Sequence, residues 1–492
     1  MIAAVDLGSN SFRLQVGRVV GSQIYPLDGL KEAVRLAGGL TPEKMLDGAS
    51  QTRALAALSR FGERLRGFAP GAVRAVATNT LRVAKNADVF LPMAEAALGF
   101  PIEVIAGREE ARLIYVGVAH AMPNPAVQQL VMDVGGGSTE FIIGKNFQPL
   151  QLESLYMGCV SFSMRFFPEG RVDKRSMKEA ELAARQELQT IAHAYRETGW
   201  EEAIGSSGTT KAIVDILELN GLSERGITRD GLAELRRRLI EAGDASKLAM
   251  EGLRADRIPV LPGGLAIMSA AFKELGIERM EFSDGALRLG VLYDLLGRYH
   301  HEDLREATVL QFMRRYEVDL GQAERVGQSA VRLLQQMDAD EADLQMVSWA
   351  ARLHEVGISV AHSSYHKHSA YILANADMPG FSRREQQRLS RVVLGHRGKL
   401  ERVSGMHDGA NDWRLIFALR TAALLHRTRT KPPEPPLSVA LRGRDFELAI
   451  DGEWLDSSPL TAAALSDEVR QWSAVGHVLV LRRIKDRSKV DV

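Results

Sequence analysis

The amino-acid sequence predicts an α/β protein of two related lobes, continued by an all-α domain and closed by a small β-rich module. Two glycine-rich segments carry the first part of that reading. "AAVDLGSNSFRLQVG", near the start, and "VMDVGGGSTEFIIG" align in one register, so that Asp6 matches Asp133, Gly8 matches Gly135 and Ser11 matches Ser138, each 127 residues apart. A repeat of acid, glycine and hydroxyl at one offset points to a duplicated fold unit rather than two unrelated turns. The rest follows from two changes of texture, one near residue 300 and one near residue 430.

The first lobe, residues 1–124, alternates β-rich runs such as "VRAVAT" and "PIEVIAG" with the helical pattern of "SQTRALAALSRFGERLR". The boundary falls in "AMPNPAVQ", whose prolines and asparagine mark a connection. The second lobe, 125–300, opens at "QQLVMDVGGG" and runs through "EEAIGSSGTTKAIVDIL" to "GVLYDLLGRY". Apolar positions then fall at helical spacing in "ERVGQSAVRLLQQM", "LQMVSWAARLHEVGI" and "WRLIFALRTAALLHR", which predicts a helical domain over 301–432. "RTRTKPPEPPLSVAL" breaks any helix with four prolines, and the alternation in "LSVALRG", "FELAIDG" and "GHVLVLRRI" predicts the β-rich module over 433–492.

Composition narrows the function classes. With 45% hydrophobic and 25% charged residues the chain is that of an ordinary folded protein, and its 62 basic and 62 acidic residues cancel. Bulk attraction to nucleic acid or to a membrane surface is therefore not expected, and any polyanion must be recognised locally. The lone cysteine, Cys159 in "YMGCVSF", rules out an internal disulfide and reads as a buried structural thiol. An acid stands early in "MIAAVDLGSN", where a signal peptide would be apolar, and no apolar run approaches bilayer length. A cytoplasmic protein without integral membrane contact is expected.

Glycines that turn with positive φ expose consecutive N–H groups to a dense anion such as phosphate. Gly8, Ser9, Asn10 and Ser11 form one such loop, and Gly135, Gly136, Gly137, Ser138 and Thr139 form the other, with hydroxyls as added donors. Asp6 and Asp133 would repel phosphate, so their expected work is to hold a hydrated divalent cation, and Glu140 points the same way. A pair of hairpins whose Gly and Asp serve turn geometry alone is the competing reading, weakened by the shared register. "AIGSSGTTKAI" adds Gly208 and Thr209 at a strand-to-helix turn that favours an anion or serves as an ordinary connection. In "VIAGREEARLIYVGVA", Glu109 and Glu110 open a helix, where an acid either activates water or answers the helix dipole.

These blocks, with "ATNTLR", "MGCVSF", "GSSGTTKA", "PGGLAI" and "SDGALRLGVLYD", resemble the exopolyphosphatase and guanosine pentaphosphate phosphohydrolase (Ppx/GppA) family over about residues 1–300. The resemblance implies two actin-like, ribonuclease H-like lobes of the sugar kinase, heat-shock ATPase and actin superfamily. It implies Glu110 as catalytic base with Glu109 in support, Asp133 and Glu140 around Mg²⁺, and Arg82 near the substrate path; Asp6 joins the metal acids and Gly208 and Thr209 the path on the reading of the residues above. It also implies a homodimer, with a monovalent cation such as K⁺ as a further candidate. The helical domain is similar to HD-type phosphohydrolase domains, with His354 and Glu355 where those carry His and Asp. His362, His366, His368 and His396 are candidate ligands or polyanion contacts. An upstream His is missing and Glu replaces Asp, so the ligand set is incomplete and solvent-facing structural histidines are expected.

The activity expected on this basis is Mg²⁺-dependent, processive removal of the end phosphate of inorganic polyphosphate, with the third glycine of "DVGGGSTE" and the long helical tail favouring it. Guanosine pentaphosphate 5′-phosphohydrolase is the alternative, with the same parts and another substrate. More remote readings are a polyphosphate or alarmone sensor and an ATP-dependent small-molecule kinase.

Overall fold

The computed structural model describes residues 1–20, 23–122, 124, 126–299, 304–404, 412–429 and 436–484. Pro123 and Pro125 of the expected lobe boundary, and Pro432, Pro433 and Pro435, lie outside the described residues. Two compact units form, Met1–Leu304 and Arg305–Val492.

The first unit holds two sheets of one plan. In the first sheet β1 (Ile2–Leu7), β2 (Phe12–Val20) and β3 (Gln23–Glu32) make an antiparallel meander, and β4 (Val73–Ala77) and β5 (Ile102–Val104) continue it in parallel from β1, giving the order β3-β2-β1-β4-β5. The second repeats this with β6 (Gln129–Val134), β7 (Thr139–Lys145), β8 (Gln148–Leu155), β9 (Glu202–Gly205) and β11 (Arg279–Phe282), and adds the short β10 (Ile227–Thr228) at its edge. The sequence repeat is thus a repeat of topology. Central β1 and β6 are nearly continuous apolar runs because both faces are covered, which is the pattern of strands with parallel neighbours.

Two helices tie the lobes together by exchange. The helix Gly107–Ala121 follows β5 of the first sheet yet packs on β7 and β8 of the second, while Leu287–Tyr299 follows β11 and returns to β1. They cross where Gly117, Gly285 and Gly290 remove side chains, and a methyl built on Gly290 would run into the carbonyl of Leu113. A common core gathers around this crossing, with Ile2, Ala4 and Val76 from the first sheet and Val131, Ile142 and Ile204 from the second.

One expectation is corrected. The helical stretch Ile258–Leu275 is apolar and long enough to cross a bilayer by length and composition. It is 72% buried in the protein, where Leu265, Ile267, Met268 and Phe272 fill the core of the second lobe.

The second unit begins with helices Leu304–Arg315, Leu320–Gln335, Glu341–Leu353, Tyr365–Asn375, Arg383–Gly395 and Asp412–Leu425 among its described elements. A sheet of order β12-β13-β14 follows, built from β12 (Leu437–Arg442), β13 (Asp445–Asp451) and β14 (Leu479–Ile484). Because β14 pairs parallel to β13, the chain needs a crossover between them, and helices Gly452–Ser457 and Pro459–Ala474 supply it. The alternating pattern of the strands did not mark these helices. Phe417 of the helical part stacks on Phe446 of the sheet at 4.3 Å, so sheet and helices share one core.

Gly290→Ala is expected to lose about 1 to 3 kcal/mol of stability through overpacking at the helix crossing, read as a lower midpoint in denaturant titration.

Candidate active site

Both glycine loops are hairpin tips. In the first, Asp6 faces Arg13 and Leu7 faces Phe12, leaving residues 8–11 as the loop; in the second, Asp133 faces Glu140 and Val134 faces Thr139, leaving residues 135–138. The tips meet across the interlobe cleft, where a methyl on Gly136 would stand 2.9 Å from Cβ of Ser9. Behind the second loop, the N–H of Cys159 donates to the carbonyl of Gly135 at 2.9 Å and that of Val160 to Gly136 at 3.0 Å, so the loop carbonyls cap the helix Cys159–Phe166. Gly158 permits that approach, since any side chain there would strike the Gly136–Gly137 peptide.

A cavity of about 370 Å³ lies between the loops. Of the sequence-predicted residues, Asp6, Gly8, Ser9, Asn10, Ser11, Glu110, Asp133, Gly135, Gly136, Ser138, Gly208 and Thr209 line it. Four others stand outside its lining. Gly137 packs on Asn79. Thr139, expected as a phosphate donor, is buried and gives its hydroxyl to the carbonyl of Met157 at 2.6 Å, because it opens β7 and faces the side of the strand opposite to Ser138. Glu140 is buried behind the loop and accepts from the Ser154 hydroxyl at 2.8 Å. Arg82 reaches the cavity only through Glu110.

That contact sets the orientation of Glu110. Arg82 donates from Nη1 to Oε2 of Glu110 at 2.6 Å and to the carbonyl of Ile105 at 3.1 Å, with side-chain exposures of 7% for Arg82 and 10% for Glu110. Glu109 turns away. It accepts two hydrogen bonds from Arg112 at 2.8 Å, and Arg112 also reaches Asp294 at 2.5 Å, while Arg74 bridges Asp294 at 2.6 Å and Glu103 at 3.0 Å.

Burial raises the pKa of three carboxyls at the second loop and beside it, Asp133, Asp6 and Glu140. Burial pushes Asp133 up to about 7, with the charges of Glu110 and Asp6 adding to the effect against a 2.6 Å hydrogen bond donated by Ser206. Burial likewise pushes Asp6 up to about 6, although Arg288 and Arg13 pull it down. Glu140 is raised by burial and then by Glu110 and Asp133. Oδ1 of Asp6 is sealed from solvent and has no hydrogen-bond partner.

The profile of the Ppx/GppA phosphatase family matches residues 15–299, and that of Ppx/GppA phosphatase domain III matches 304–469. The chain belongs to the Ppx/GppA phosphatase family. Similar relatives named guanosine-5′-triphosphate,3′-diphosphate pyrophosphatase include one from Vibrio parahaemolyticus, 36% identical over 98% of both chains, and one from Pseudoalteromonas translucida, 37% identical over 97% of this chain and 98% of its own. Among solved structures, an exopolyphosphatase from Cytophaga hutchinsonii is 25% identical, with a TM-score of 0.55 over 60% of this chain and 98% of its own. The Aquifex aeolicus family member, 24% identical with a TM-score of 0.52 over 61% of this chain, shows the same fold.

Sequence reasoning within the family motifs missed the cationic wall of the cleft. Arg13, Lys31, Lys211, Arg254, Arg257 and Arg288 line the cavity, with Lys31 paired to Asp256 at 3.5 Å and Lys211 to Asp215 at 3.4 Å. They come from β2, β3, the helix Gly208–Leu219, one loop of the second lobe and the returning helix Leu287–Tyr299. Arg13, Lys211 and Arg288 touch recognised blocks, "GSNSFR", "GSSGTTKA" and "SDGALRLG", so adjacency to a motif was the available signal. The histidines also depart from expectation: His354, His366 and His396 are buried, with the rings of His354 and His396 5.0 Å apart, while His362 is exposed and His368 half-buried. Glu355 is ion-paired with Arg429 at 2.5 Å. Cys159 is buried as expected, and burial pushes its thiol up.

A carboxyl whose folded pKa lies above its unfolded value loses stability for the fold as pH climbs through the interval between them. For Asp133 that interval runs from about 4 to about 7. Asp133→Asn keeps an acceptor for Ser206 and removes the charge. Its Tm should match wild type near pH 4 and exceed it by at least about 2 °C at pH 8, as followed by thermal unfolding without added metal.

Proposed function

We propose that this chain hydrolyses the terminal phosphoanhydride bond of guanosine pentaphosphate, with Glu110 as the group that activates water. The observation that carries the substrate is the match, along 98% of both chains, to a relative named for guanosine 5′-triphosphate,3′-diphosphate. That match includes the helical tail, so the tail does not favour polyphosphate. The third glycine does not either, since Gly137 packs on Asn79 outside the cavity lining.

The chemistry follows from the cleft. The loop amides and Ser138 would hold the end phosphate, and the cationic wall would hold the remaining phosphates, whose charge exceeds what one loop can balance. Arg82 fixes one oxygen of Glu110, leaving the carboxylate oriented to take a proton from water. Water oxygen forms the new P–O bond, the bridging P–O bond breaks, and phosphate leaves with guanosine tetraphosphate as the other product.

Mg²⁺ fits this donor set. Among the described residues no three His, Cys, Asp or Glu side chains stand where they could hold a metal directly, but Mg²⁺ commonly keeps several waters and takes one or two carboxylates with phosphate oxygens. Asp6, with its orphaned Oδ1, and Asp133 are the residues that would hold it, and its charge would offset that of the phosphates. A second reading, exopolyphosphatase, is favoured by the likeness to the Cytophaga enzyme over both lobes. It uses the same residues.

Phosphate release from guanosine pentaphosphate and from long-chain polyphosphate, measured in parallel with Mg²⁺, separates the two. A larger kcat/KM on pentaphosphate is expected, and a larger value on polyphosphate would install the second reading. Glu110→Gln should lower kcat by about 10³-fold with KM little changed, and near-normal turnover would remove Glu110 from the mechanism. Without substrate, Mg²⁺ should raise the Tm of wild type and leave Asp133→Asn unmoved.

A further inference from the structure

Asn79 occupies the first turn of the short helix Asn79–Val83, in "ATNTLR". It is 8% exposed and lines the cavity beside Ser9, Glu110, Gly136 and Ser138. The next residue, Thr80, donates from its hydroxyl to Oγ of Ser9 at 2.8 Å, anchoring this turn to the first phosphate loop. On the other side Oδ1 of Asn79 lies so close to Gly137 that no side chain could stand there, so the same residue abuts the second loop. Arg82, three residues on and hence on the same helix face, holds Glu110. One short helix therefore puts Asn79 in the cavity lining and Arg82 behind Glu110, and only the second has an explained role.

The unexplained feature is the amide nitrogen. Nδ2 of Asn79 is sealed from solvent and has no hydrogen-bond acceptor. A buried amide that donates nothing costs stability, and an asparagine kept only for structure would spend those hydrogens on the protein. The groups that flank it, two anion-binding loops and the arginine that orients Glu110, meet where the end phosphate would lie.

We infer that the carboxamide of Asn79 donates a hydrogen bond to an oxygen of the phosphoryl group being transferred, supplying the acceptor that this amide lacks in the free protein. This rests on the proposed phosphohydrolase reading and adds a substrate-contacting residue to it. The bond strengthens as negative charge gathers on that oxygen, so its loss weighs on kcat more than on KM.

The test compares Asn79→Ala, Asn79→Asp and Asn79→Ser with wild type for phosphate release from guanosine pentaphosphate, at a temperature where each is folded by its own melting curve. Asn79→Ala should lose about a hundredfold in kcat, as for removal of one preorganised donor, with Tm unchanged or raised because an orphaned donor is gone. Asn79→Asp, which swaps the donor for a negative charge, should be weaker still, and Asn79→Ser, which keeps a donor, should recover part of the loss. Asn79→Ala or Asn79→Asp within threefold of wild type, or Asn79→Ser no better than Asn79→Ala, overturns the assignment. Wild type inactive on both guanosine pentaphosphate and polyphosphate would instead overturn the proposed function. In that case calorimetric binding of inorganic phosphate decides the residue alone: weaker binding by Asn79→Ala upholds its donor role, and equal binding ends it.

Discussion

The buried ion network around Arg112 is the constraint on which the site depends. Glu109, Arg112, Asp294 and Arg74 are all withdrawn from water, and such a group is tolerable only when each charge is met. Its members come from β4, from the helix Gly107–Ala121 and from the returning helix Leu287–Tyr299, so satisfying the charges also fixes how the two exchanged helices cross. The glycines at the crossing let the backbones approach closely enough for this to happen. With Glu109 committed to Arg112, the helical turn of about 100° per residue carries Glu110 to another side, toward the cleft. Two adjacent glutamates thus have different tasks because one helix face meets a charge network and the next meets a cavity.

The two hairpins are alike in backbone and unlike in charge. The residue opposite Asp6 is Arg13, and the residue opposite Asp133, at the same place in the repeat, is Glu140. The first loop therefore stands beside added positive charge. The second stands above two buried carboxyls, Asp133 and Glu140, whose pKa values burial raises. Duplication supplied the scaffold, and divergence at one register position separated the electrostatic character of the halves.

Much of this was legible in the chain. The acid, glycine and hydroxyl repeat found both hairpins, and the change from alternating to helical periodicity found the second unit, because local backbone demands and strand or helix periods are written in neighbouring residues. The motif residues that line the cavity were found for the same reason. Thr139 was misjudged because strand alternation sends its hydroxyl inward, a fact that depends on where β7 begins. The apolar stretch Ile258–Leu275 was passed over because its length shows only once a 3₁₀ turn and a helix join in the fold.

What the sequence by itself determined is the duplicated α/β plan, the two glycine-rich hairpin loops and the pair of glutamates that open one helix. Each is a local matter of spacing, glycine and polarity within a dozen residues. Tertiary structure alone decided that Arg82 holds Glu110 and that six cations from separate segments form one wall. It also decided that Asn79 sits between the loops with an unspent amide. Those facts depend on charges and side chains far apart in the chain being brought within hydrogen-bond distance, and only the packing of the two lobes sets that distance.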